Sequence, residues 1–80
     1  MPRYFFHLIH PTREPVRDEE GLTLDADAAA KREGMISLGE LMKEASSSEP
    51  MPFCVSVQVV RESVGIIELL TGHLSEQGQS

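Results

Sequence analysis

The chain has no tryptophan, one tyrosine and one cysteine, and nowhere does it run apolar for long. Each shortage removes a class of explanation. A lone Cys54 cannot close an internal disulfide, and it cannot furnish a cysteine-rich zinc site. The most apolar stretches, residues 4–9 and 66–70, fall far short of the roughly 20 residues that a membrane-spanning helix needs. A proline and charges follow the first of them, so it lacks the pattern of a secretory signal. With one thiol and no export pattern, the cytoplasm is the expected compartment.

Basic residues are also scarce, seven against thirteen acidic ones, for a net charge of −6. Nucleic-acid binding depends on neutralising phosphates with Lys and Arg. Here Arg3, Arg13, Arg17, Arg32 and Arg61 are scattered along the chain, so a nucleic acid is not an expected partner. The surplus of acid reads as a source of solubility. No glycine-rich phosphate loop, nucleophile elbow or zincin motif occurs.

What is present is enough for one domain, read as residues 1–72, followed by a polar, disordered tail, 73–80. Residues 3–9 are aromatic and branched and end at His10-Pro11, the pattern of a strand. Residues 16–24 read as a second strand, with Gly21 permitting a bulge or bend. The spacing predicts a helix over residues 25–46, with Asp25 or Asp27 accepting its first N–H groups. Ala30, Gly34, Leu38, Leu41 and Ala45 share its buried arc, where Gly34 lets the helix approach the sheet. Ile36 falls on the polar face. Residues 53–60 alternate cleanly, Phe53, Val55, Val57 and Val59 on one side and Cys54, Ser56, Gln58 and Val60 on the other. Residues 64–70 complete the set, with Glu68 expected outward and Ile67 and Leu69 inward. The fold class is α+β: ββαββ, a mainly antiparallel four-stranded sheet with one helix on one face.

The first strand breaks the expected alternation. Tyr4, Phe6 and Leu8 fill one face, and Phe5, His7 and Ile9 fill the other, yet a single helix covers only one of them. Large apolar patches on monomers usually mark a contact. Phe5, His7 and Ile9 are therefore the expected interface, in a homodimer or against an unidentified protein partner. The bland alternative is a face covered by the loop PTREP or by the tail. Protonating His7 beside its symmetry mate would loosen such a dimer in mild acid.

Several residue groups invite chemistry and are answered more simply. On a strand, His7 and His10 point to opposite faces, and no third ligand is spaced to join them, so no metal is expected. Cys54 lies in a strand of an acidic protein, without the electropositive setting that activates a thiol. Of Asp18, Glu19 and Glu20, two should be solvated, because neighbours in a strand alternate sides. So small a sheet also leaves little room for a substrate cleft of about 300 Å³ or more. The expectation is a non-enzymatic interaction module without a cofactor.

The segments MPRYFFH, RDEEG with L-x-L leading into an Ala-rich helix, and the GEL–KEA helix end together resemble a family of short uncharacterised bacterial proteins typical of rhizobia and other alphaproteobacteria. The resemblance runs from Met1 to Leu70 and departs at RESVGIIELL, where the glycine of the last turn is displaced. It implies a domain of unknown function and brings no catalytic residues. The hairpin–helix segment is also similar to HicB-type antitoxins, which gives an alternative role: a regulator that neutralises a basic partner protein.

Overall fold

The computed structural model describes residues 1–75. Its elements are β1 (Arg3–Ile9), β2 (Leu22–Thr23), α1 (Asp27–Ser48), β3 (Phe53–Arg61) and β4 (Gly65–Leu74). The strands form one antiparallel sheet in the order β2-β1-β3-β4. The α+β class and the single helix are as expected; three local features are not.

The second strand is nearly absent. Residues 16–24 read as a strand, but only Leu22 and Thr23 pair with β1, alongside an isolated bridge between Leu8 and Val16. The interval is filled by a side chain. Asp18 Oδ2 accepts the Phe6 N–H at 3.1 Å, a bond that a ladder carbonyl would otherwise supply. Its Oδ1 accepts the N–H groups of Glu20 and Gly21, which curls the chain away from the sheet. Gly21 has φ 74°, and a Cβ there would lie 2.8 Å from the Tyr4 carbonyl oxygen, so glycine is required at this bend.

The helix is displaced by two residues at each end. Its N-cap is Ala26, with no side-chain cap. Neither aspartate plays that part. Tyr4 is fully buried, and its hydroxyl donates to Asp27 Oδ1 at 2.6 Å, while Arg61 donates to the same oxygen at 3.1 Å. A buried phenol needs an acceptor, and Asp27 supplies it. Burial and this carboxylate push the Tyr4 hydroxyl above its ordinary pKa. At the far end, Ser46, Ser47 and Ser48 extend the helix instead of stopping it. Their hydroxyls donate to the carbonyls of Lys43 and Glu44 in the last turns.

The third difference is a bulge in the β3–β4 hairpin between Val59 and Val60. Counting from the turn, Arg61 faces Gly65 and Val60 faces Ile66, which would put Ile67 and Leu69 inward. Ile67 does pack on the core. The extra residue then advances β4 by one, so Val59 faces Glu68 and Val57 faces Leu70. Leu70 turns in, Leu69 turns out, and Glu68 sits on the helix side with Lys31 3.7 Å away. A one-residue slip exchanges the faces of everything beyond it. β4 also continues through His73 and Leu74, which pair with Cys54 and Phe53, so the strand runs into the expected tail. Residues 76–80 of that tail lie outside the described residues.

The core joins Tyr4, Ala30, Leu38, Ala45, Phe53, Val55, Val57 and Val59. Gly34 is buried as expected: a Cβ there would meet Val59 Cγ2 at 2.9 Å and Leu70 Cδ1 at 3.0 Å. The helix lies mainly over β3 and β4. Leu41, assigned to the buried arc, is consequently only half-buried. No helix among the described residues is long and apolar enough to cross a membrane.

Candidate interaction surfaces

The face of the sheet opposite the helix takes alternate residues of three strands: Phe5, His7 and Ile9 from β1, then Cys54, Ser56, Gln58 and Val60 from β3. Beyond the bulge, β4 adds Leu69, Thr71 and His73, with Ile66 on the turn side. Phe5, His7 and Ile9 thus share one surface, as the alternation predicted, and all three are half-buried by their neighbours. Ile66 and Leu69 are 62% and 57% exposed. No carboxylate lies among these strand residues, although thirteen occur in the chain.

The face is held in register by its own contacts. The rings of Phe5 and His7 stack at 6.3 Å and 9°. His7 Nδ1 accepts the Asp18 N–H at 3.0 Å, which leaves Nε2 as the protonated nitrogen of the neutral ring. The hydroxyls of Ser56 and Thr71 join at 2.8 Å. Asp18 therefore serves both sides of β1. Burial opposes its ionisation, but the N–H groups of Gly21, Phe6 and Glu20, with His7 nearby, outweigh that and hold it below the usual carboxylate range. Glu19 and Glu20 are exposed, so two of the three acids are solvated.

The loop PTREP does not lie over this face. Its residues are exposed, and Arg13 reaches instead to Glu49 at the helix end and sits 6.0 Å from the centre of the Phe53 ring. Its hydrogen bond holds Glu49 below the usual carboxylate range. His10 meets Phe53 edge-on at 6.3 Å, which separates it from His7. Among the described residues no three His, Cys, Asp or Glu side chains are placed to hold a metal.

The surface is less flat than its size suggests, and the expectation of too little room for a cleft is not met. An open hollow of about 640 Å³ lies beside Phe5 and His7, between Glu19 and the β3–β4 turn. A second, of about 590 Å³, lies on the helix side between α1 and residues 16–18, floored by Phe6, Leu8 and Leu41. Sequence reasoning missed the second hollow. It also missed Leu69 on the open face, because the bulge reassigns the residues of β4 beyond Ile67.

An open four-stranded antiparallel sheet with a single helix defines the fold class. Within it, the chain belongs to the family described as domain of unknown function (DUF6894), whose pattern matches residues 3–67. No curated protein and no solved structure matches the chain.

Proposed function

We propose that the protein is an interaction module that works as a homodimer, joined through the open sheet face about Phe5, His7 and Ile9. The observation that carries this reading is a face bearing Phe5, Ile9, Val60, Ile66 and Leu69 with no carboxylate among its strand residues, in a chain of net charge −6. Two acidic molecules meet with least repulsion where neither presents acid. A face without one dominant sign is also compatible with itself, as a two-fold contact requires. At about 4.8 Å between strands and 3.3 Å per residue, β1, β3 and β4 offer a flat footprint of roughly 400 Å². Side-chain relief and the flanking loops bring this toward the ~800 Å² per partner of ordinary interfaces.

Light scattering of wild type and Phe5→Glu tests it. Wild type should have the mass of a dimer, and the variant that of a monomer with an unchanged circular dichroism spectrum. A wild type that stays monomeric at NMR concentrations overturns the reading.

The alternative role, neutralising a basic partner protein, is favoured by exposed carboxylates on the helix, Glu40 and Glu44. A small basic reading frame beside the gene, and its product retained by the immobilised protein, would support that role.

A further inference from the structure

The groove on the helix side exists because two elements stop short. β2 reaches only the first residues of β1, and α1 lies over β3 and β4. Phe6, Leu8 and Leu41 are left as a half-buried apolar floor, and Val16, 52% exposed, forms part of one wall. Ser37, Glu40 and Glu44 form the other wall, at the spacing that keeps them on one stripe of the helix.

The charges of this groove are unequally satisfied. Asp18 is engaged by the N–H groups of Phe6, Glu20 and Gly21. The ion pairs found among the described residues are Arg13–Glu49, Lys31–Glu68 and Arg61–Asp27; none uses Glu40 or Glu44. Arg17 is the one cation lining the groove, against the three carboxylates of Asp18, Glu40 and Glu44. Water-exposed acid above an apolar floor calls for a ligand that is cationic on one side and apolar on the other.

We propose that this groove docks a short extended segment of a partner protein, with Lys or Arg at alternate positions and apolar residues between them. The spacing supports an extended chain. Glu40 and Glu44 are one helical turn apart, a rise of about 6 Å. Alternate residues of an extended strand are about 6.6 Å apart, so two successive cations match two successive glutamates. The residues between them turn the other way, toward Val16 and the floor. From Ser37 to Glu44 the helix rises about 10 Å, which accommodates three extended residues. The groove is open to solvent, so a peptide can enter it from the side. It is on the opposite side of the sheet from Phe5, so this docking does not depend on the dimer.

The test is a titration of the full-length, ¹⁵N-labelled protein with the blocked pentapeptide Lys-Leu-Lys-Leu-Lys, followed by amide shifts. Saturable shifts should appear at Val16, Ser37, Glu40, Leu41 and Glu44. Affinity should fall at least tenfold in the Glu40→Lys, Glu44→Lys double variant, whose exposed substitutions leave the circular dichroism spectrum unchanged. It should also fall between 50 and 500 mM salt, as expected for exposed charges (~10 Å screening at 0.1 M). Phe5→Glu should leave it intact. Equal binding of Glu-Leu-Glu-Leu-Glu, indifference to the double variant, or shifts confined to the open face would each overturn the proposal.

Discussion

The two faces of this sheet are made from alternate residues of the same strands, and they differ in what they cover. Toward the helix, Tyr4, Val55, Val57 and Val59 are 0% exposed. Away from it, Phe5, Gln58 and Val60 remain half-open, and Ile66 and Leu69 are more open still. β3 resolves the difference by chemistry, valine inward and Ser56 or Gln58 outward. β1 does not, because both of its faces are apolar. One strand thus reports only a fold, while the other reports a fold and an apolar surface left half-open.

The contrast can be broken most severely from the helix side. Leu38→Ala removes a side chain 7% exposed and should cost about 2–4 kcal/mol in urea denaturation. Leu41→Ala should cost less, since that side chain is half-buried at the groove. A loss at Leu41 equal to that at Leu38 would mean the groove is closed. Next, two valines of one strand compare the faces directly. Val57→Ala should destabilise by about 2 kcal/mol, and Val60→Ala by less than about 1 kcal/mol, measured where the protein is dilute enough to be monomeric. Raising the concentration should widen the penalty at Val60 and leave that at Val57 unchanged.

Asp18 links the two faces, and Asp18→Ala should cost about 1–2 kcal/mol by leaving the Phe6 N–H without its acceptor. Its folded-state pKa is depressed. The stabilisation is therefore complete above the unfolded value of about 3.9, and is lost as pH falls through the folded value. Wild type should lose more stability between pH 7 and 3 than Asp18→Asn, read as the shift in urea midpoint. Smallest of all, Ile36→Arg should stay within about 0.5 kcal/mol, because Ile36 is 49% exposed on the outer helix face.

Local patterns made much of this legible. β1 spans the predicted residues, β3 extends them by one, and Gly34 lies where the buried arc placed it. Phe5, His7 and Ile9 share a face because alternation in a strand leaves no other arrangement. What escaped depended on partners. The Asp18–Phe6 bond replaces a strand pairing that sequence spacing alone would favour. The bulge at Val59 and Val60 is a property of two strands together, so alternation alone puts Glu68 and Leu69 on the wrong sides. The groove follows from where the helix lies across the sheet, which its periodicity does not specify. Ala26 took the N-cap because Asp27 was needed by Tyr4, a demand arising more than twenty positions earlier in the chain.

The placement of β1 between β2 and β3 also has a kinetic consequence. His7 pairs with Gln58, closing a loop of roughly fifty residues, whereas Gln58 pairs with Leu69 across about eleven. Loop-closure entropy makes the longer pairing costlier by about 1.4 kcal/mol. The β3–β4 hairpin should therefore form before β1 docks beside it. During synthesis β1 emerges ahead of β3 and pairs with it only after the roughly fifty residues between them have been made. Phe5 and Phe6 are then both uncovered, so the segment proposed as the contact of the finished protein is also the one most exposed to premature association on the ribosome.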